Sequence, residues 1–175
     1  FLAPAYTNLA RGIGYKPVNW LSVNFAPRTG GYVIVQDEAL RKNYSMPLKK
    51  EYEGMDEAEL PTDGSQYQSS RFEFGAQLKV DAGVNINDDF KYTTQVVLFY
   101  NYLAGMKSPR VNWDNRIDWK LAKYFSLTLT TNLIYDDTIM ITNPKDIEKF
   151  PEGRARVQFK ESLAFGFTYT IASKK

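Results

Sequence analysis

Polar and apolar residues alternate with a period of two along most of this chain. The clearest segment spans 71–82, where every even position is apolar. The odd positions carry Arg71, Glu73, Gln77, Lys79 and Asp81. A helix would scatter these charges around its axis, whereas a strand collects them on one face. The segment is therefore predicted to be a β-strand with one polar and one apolar face.

Six further segments follow the pattern less strictly. They span 5–16, 19–36, 91–102, 110–121, 125–135 and 156–171. Val97 and Phe99 weaken the alternation in the third, while Pro27 and Gly30-Gly31 indicate a bulge or bend in the second. The chain is thus predicted to be all-β and antiparallel. It has about seven strands, or eight if 31–37 forms its own strand.

The predicted connections are alternately short and long. Short turns are expected at 16–19, 85–89 and 122–124, and longer loops at 38–69, 105–109 and 138–154. The 38–69 segment is polar and acidic and is expected to be a long extracellular loop. Short turns at one end and long loops at the other are typical of transmembrane outer-membrane β-barrels.

Alternation alone does not decide whether the apolar face points inward, as in a soluble barrel or sandwich, or outward to lipid. An apolar face that points outward to lipid is favoured by two features. The strands are longer than the usual five or so residues, and the polar face carries many charges. Aromatic residues near both ends of the apolar face are also expected to sit at the lipid–water interfaces. They are Tyr15, Phe72, Tyr102, Trp113, Trp119, Phe125, Tyr135, Phe159 and Tyr169. Glu161 departs from the pattern, because it falls on the apolar side of its strand.

A ladder of charges of both signs is expected to face the lumen of such a barrel. Its members are Arg71, Glu73, Lys79, Asp81, Lys91, Arg110, Asp114, Arg116, Asp118, Lys120, Arg156 and Lys160. They could form a cross-strand ion network that fills the lumen, or they could line a polar channel. Balanced opposite charges favour the network.

The amino-acid composition limits the kinds of functional site that this chain can form. The chain has 175 residues, a net charge of +2, and neither histidine nor cysteine. It therefore lacks the usual general base, the Cys-based metal sites and the basic stripe of nucleic-acid binders. Asp136-Asp137 could bind calcium beside a long loop, although a solvated strand end is favoured. We expect no catalytic residue, cofactor or metal, and no enzymatic activity.

The strand number bears on the domain organisation. Seven is odd, whereas bacterial single-chain barrels have an even number of strands. An open seven-stranded sheet would also leave edges unpaired in lipid. Residues 1–175 are accordingly interpreted as one β-barrel segment whose N-terminal strands are missing, or as one chain of a split barrel.

Several motifs resemble a family of Bacteroidota outer-membrane proteins known as the domain of unknown function DUF3078. They are FLAPAY at 1–6, GYKP at 14–17, NFAPRTG at 24–30, LTTNLIYDD at 129–137 and RVQFKE at 156–161. The resemblance covers nearly the whole chain and matches the C-terminal half of such proteins. It implies a Gram-negative outer-membrane barrel of about twelve strands. It implies no activity and no functional residues.

Three functions follow as hypotheses. The first is an integral outer-membrane protein with a structural or accessory role, in contact with the bilayer and lipopolysaccharide and part of a larger outer-membrane complex. The second is a diffusion channel for small solutes. The third is a soluble β-protein that binds a ligand.

Overall fold

The computed structural model describes residues 4–103, 109–145, 147–151 and 153–167, without the side chain of Glu57. These ranges contain seven strands and very little helix, which confirms the all-β prediction. The strands are β1 (Ala5–Val18), β2 (Leu21–Ile34), β3 (Ser70–Asn87), β4 (Phe90–Asn101), β5 (Arg110–Ala122), β6 (Phe125–Tyr135) and β7 (Gln158–Phe167). No helix in these ranges is long and apolar enough to cross a bilayer.

The strands form one antiparallel sheet in which each strand pairs with the next in sequence. Within the described residues the sheet is not closed, so β1 and β7 are its edges. The alternative with a separate strand over 31–37 is wrong. Strand β2 runs unbroken to Ile34, which still pairs with Ser70 of β3.

The predicted bulge lies in β2. Three residue steps from Ala26 to Thr29 oppose two steps from Gln77 to Gly75. Pro27 has no N–H to donate to a neighbouring strand, so it is tolerated where the ladder is interrupted. The extra residue brings both Ala26 and Thr29 onto one face, where both are buried.

The two ends of the sheet differ as the connections predict. At one end, β1–β2, β3–β4 and β5–β6 are each joined by two residues, namely 19–20, 88–89 and 123–124. We call this the turn end. The longer connections begin at the opposite end of the sheet, after Ile34, Asn101 and Tyr135, and this end is called the loop end.

The strands are staggered consistently across the sheet. The first residue of β1, Ala5, lies in the row of Ile34 and Ser70. The first residue of β7, Gln158, lies in the row that runs through Ile134, Asn112 and Val97 to Lys79 of β3. The sheet therefore shifts by nine residues of β3, from Ser70 to Lys79, between its two edges. A stagger of this kind is the shear that a closed barrel requires.

The 35–69 loop is folded. It contains helix α1 (Glu38–Arg41) and single 3₁₀ turns at Lys50–Tyr52 and Glu57–Glu59. Val33, Val35 and Met46 form a buried cluster with Leu40, Tyr44 and Tyr67 packed around it. The 38–69 segment, predicted as a long polar and acidic loop, also contains apolar residues that pack against the end of β2.

Candidate functional site

The sheet has a polar face and an apolar face, defined by the strand register. Residues directly paired across strands share a face. One row joins Asp81, Gln95, Asp114, Asn132 and Lys160 over five strands. By the same register, eleven of the twelve ladder residues lie on this polar face. The twelfth, Arg156, lies in the segment before β7.

Four ladder and loop residues form a buried ion cluster at the loop end. The Glu73 carboxylate accepts from Arg71 at 2.9 Å and from Arg110 at 2.7 Å. The Arg110 guanidinium also reaches Asp136, with 2.8 Å between Nε and Oδ2. The side chains of Glu73 and Asp136 are only 2% and 3% exposed. Two positive and two negative groups thus neutralise one another where water is largely excluded.

Aromatic rings complete the surroundings of Arg110. Its guanidinium carbon lies 5.7 Å from the centroid of the Tyr6 ring and 5.2 Å from that of Phe99. Both distances allow cation–π attraction. Phe99, which breaks the alternation of β4, is buried on the polar face and packs against this cation. Tyr6 was not recognised from the sequence, because it lies on β1 and meets Arg110 of β5 only across the polar face of the folded sheet.

Asp136 differs from the solvated strand end that was expected. It accepts from the backbone N–H and the hydroxyl of Thr138, at 2.9 and 2.6 Å, and it pairs with Arg110. The prediction of a solvated carboxylate is therefore wrong for Asp136, because the loop after β6 turns back over the polar face. Among the described residues, no group of three or more acidic, His or Cys side chains is arranged to hold a metal ion.

The two longer loops meet over this cluster. Arg71 donates through Nη1 to the carbonyls of Tyr44 and Ser45, at 3.1 and 2.8 Å. The Ser45 hydroxyl donates to the carbonyl of Thr138 at 2.7 Å. The Met140 N–H donates to the Asn43 carbonyl at 3.0 Å. The 35–69 and 136–157 loops therefore cover the loop end of the polar face.

The remainder of the polar face is an open cavity of about 920 Å³. Two of its charged residues pair within their own strands: Arg116 with Asp118 at 2.8 Å, and Asp81 with Lys79 at 3.5 Å. Hydroxyl and amide groups from Ser22, Thr93 and Asn132 also line it. Ladder residues thus form a packed ion network at the loop end and line a polar cavity beyond it.

The apolar face carries the predicted aromatic residues. Eight of the nine share this face, and Tyr169 lies outside the described residues. Even on β5, an inner strand, Trp113 is 41% and Trp119 46% exposed. Ring pairs lie toward both ends of the sheet: Phe90–Trp119 and Phe125–Phe167 at the turn end, and Tyr32–Phe72 and Phe74–Tyr102 at the loop end.

A row of polar residues crosses the middle of the apolar face. Thr94, Asn115, Thr131 and Glu161 are paired in succession from β4 to β7. Asn115 accepts from the hydroxyls of Tyr92 and Thr94, at 2.7 and 2.8 Å, and donates to Thr131. Trp113 donates to Thr94 at 2.9 Å. Of this row, the sequence pattern singled out Glu161 alone.

Comparison with protein-family models, with curated proteins and with solved structures finds no match to this chain.

Proposed function

We propose that this chain forms part of a β-barrel integral to a bacterial outer membrane, with its polar face toward the lumen and its apolar face in lipid. The observation that carries the proposal is the distribution of exposure. Large apolar side chains remain exposed across the apolar face, whereas buried charges lie on the opposite face. A soluble barrel or sandwich has the reverse arrangement. We also propose that the chain belongs to the family that its motifs resemble and that it lies in the outer membrane.

Strand length and the aromatic pairs support a membrane environment. The seven strands are 10 to 18 residues long. A tilted transmembrane strand needs about 9–11 residues. Aromatic pairs at both ends of the apolar face correspond to the two girdles of such barrels, where each ring lies at the headgroup level.

The edges of the sheet support closure by further strands. Backbone groups at the edges of β1 and β7 would have no partner in hydrocarbon, where each unpaired group costs several kcal/mol. The consistent stagger already has the form that closure needs. We therefore propose that strands of the same protein or of a partner chain pair with β1 and β7, giving about the twelve strands that the resemblance implies.

The covered loop end supports a structural or accessory role. A chain that conducted solutes freely would need an open path at both ends of the polar face. Here two loops, held together by the hydrogen bonds of Arg71 and Ser45, lie across one end. The bilayer and lipopolysaccharide are the proposed contacts, together with other outer-membrane proteins.

A small-solute channel is the second candidate, and the cavity favours it. The cavity lies on the polar face and is lined by side chains that can replace the hydration of a polar solute. Current across planar bilayers would distinguish the two roles. The accessory role predicts no conductance above background, whereas the channel predicts steps that grow when the 35–69 loop is shortened.

The membrane proposal is tested by washing membranes with alkaline carbonate and comparing gel mobility with and without boiling. A closed barrel stays in the pellet and migrates faster unboiled. The matched variants are Leu129→Asp on the apolar face and Thr130→Asp on the polar face opposite Arg116. The first should reduce insertion, because a carboxylate would face lipid, and the second should not. Release of the wild-type protein by carbonate would overturn the proposal.

A further inference from the structure

Three charged side chains lie on the apolar face among the described strands. They are Arg11 on β1, Arg28 on β2 and Glu161 on β7. Arg11 alternates with Leu9 and Ile13, which are 83% and 77% exposed. Every other Lys, Arg, Asp or Glu on a described strand belongs to the polar face or lies where a strand ends.

All three charges lie inside their strands, several residues from the loop end of the sheet. Arg11 is the seventh of 14 residues in β1, and Arg28 is the eighth of 14 in β2. Counted from the loop end, Arg28 is likewise the seventh residue of its strand and Glu161 is the fourth. All three charges therefore lie within the sheet and not in its connections.

Such charges are unfavourable in lipid. An arginine near the bilayer midplane destabilises a barrel by about 2–4 kcal/mol. Here Arg11 and Arg28 are directly paired, so the two like charges also repel each other. Neither arginine forms an ion pair within the described residues, and Glu161 has no hydrogen-bond partner there. Both regions need a complementary group from elsewhere.

The surroundings of Glu161 suit a guanidinium group. Thr131 lies directly opposite Glu161 and Asn115 directly opposite Thr131. A guanidinium has five donors in a planar fork and binds carboxylates in a charge-assisted way. The Glu161 carboxylate can accept several of these donors, and the Thr131 hydroxyl lies beside it. The polar row across β4–β7 is thus complementary to the arginine pair on β1–β2.

We propose that a second copy of this chain covers these regions. The apolar face of β1–β2 in one copy packs against that of β5–β7 in the next, with Arg11 and Arg28 beside Glu161 and Thr131. The partner is a second copy because the apolar face of this one chain carries both complementary groups. This inference rests on the proposed membrane location.

The contact joins two different surfaces and is therefore heterologous. Each copy has one arginine side and one glutamate side, so copies add in a ring or in a row. Buried charges are neutralised only inside such an assembly. An isolated copy would expose both sides to lipid.

Disulfide cross-linking in native membranes tests the contact, since the chain has no cysteine of its own. Two tagged copies are coexpressed, one with Arg28→Cys and the other with Glu161→Cys. We expect an oxidised dimer that contains both tags, and no dimer when either variant is expressed alone. The matched control replaces Arg28→Cys by Asn24→Cys, which lies on the polar face of the same strand. It should give no dimer.

Charge reversal provides a second readout. Arg28→Glu should reduce the assembled fraction at least tenfold in mild detergent, because two carboxylates then meet. Coexpression of Arg28→Glu with Glu161→Arg should restore mixed contacts. Lys79→Glu on the polar face should leave assembly unchanged. Absence of a cross-link, or a cross-link only to another protein, would overturn the second-copy proposal while the chain stays carbonate-resistant and heat-modifiable. Loss of those two properties would instead contradict the membrane location.

Discussion

The two ends of the polar face contain the same kinds of residues in very different surroundings. At the loop end, Glu73 and Asp136 are almost fully buried between Arg71 and Arg110. Toward the turn end, Arg116 and Asp118 make an equally short contact of 2.8 Å, but their side chains are 57% and 33% exposed. The length of an ion pair therefore does not indicate how much it stabilises the fold.

The covering loops cause this difference in exposure. Charges in a solvated cavity are screened, and removing one of them changes stability little. A charge enclosed by protein depends on its partner, because the remaining group would be buried alone. The covering loops enclose three ladder residues, Arg71, Glu73 and Arg110, and leave the charges toward the turn end in contact with water.

The largest expected effect comes from Glu73→Gln. It removes the negative charge that Arg71 and Arg110 share and leaves an excess of buried positive charge, so the free energy of unfolding should fall by about 3–5 kcal/mol. Urea unfolding of the refolded protein in lipid vesicles measures this. A change below about 1 kcal/mol, the range of exposed pairs, would mean that the cluster is solvated and would remove the contrast between the two ends.

The next effect concerns the loop itself. Arg41 donates to the carbonyls of Val35, Gln36 and Tyr67, at 3.1 to 3.2 Å. Arg41→Met leaves these carbonyls without that donor. An unsatisfied buried polar group lowers stability by about 1–3 kcal/mol. Limited proteolysis should then cut within 42–60 several times faster than in the wild type. Lys50→Met, at an exposed position of the same loop, is the control and should leave the cleavage rate unchanged.

Arg116→Ala should have a smaller effect. Its partner Asp118 still accepts from the Thr128 hydroxyl at 2.8 Å and remains in contact with water. The free energy of unfolding should change by less than about 1 kcal/mol. Equal losses for Arg116→Ala and Glu73→Gln in the same vesicles would contradict the comparison.

The smallest effect is expected at Asp63 in the covering loop. Hydrogen bonds from Ser65 lower the pKa of this exposed carboxyl group, and the Ser65 N–H lies 2.9 Å from Oδ1. Because this pKa is lower in the folded state than in the unfolded state, the carboxylate stabilises the fold at pH values above the ordinary pKa. This stabilisation is lost as the pH falls through the pKa of the folded state. NMR titration should give a pKa below that of Asp63 in a short peptide. Ser65→Ala should move it back toward the peptide value, and an unchanged pKa would show that the loop lacks this turn.

The strands could be predicted because alternation is local. Each of the seven strands was recognised, and the bulge followed from Pro27 and the nearby glycines. The covered loop end could not be predicted, since the contacts of Arg71 with Tyr44 and Ser45 join residues 26 and 27 positions apart in a loop without periodicity.

The polar row on the apolar face was missed for a related reason. Thr94, Asn115 and Thr131 are each flanked by another polar residue, so the sequence alone gives them no distinct face. Only the register aligns them with Glu161. Glu161 was the one signal in the sequence that could have indicated the row.

The orientation of the two faces is tested most directly on β4. Single cysteines at Gln95, Val96, Val97 and Leu98 carry an environment-sensitive fluorophore in vesicles that contain brominated lipid. The register puts Gln95 and Val97 on the polar face, and Val96 and Leu98 on the apolar face. Lipid quenching should therefore be strong at Val96 and Leu98 and weak at Gln95 and Val97, although Val97 is itself apolar. Quenching at Gln95 and Val97 instead, or at none of the four, would contradict a membrane-facing apolar surface.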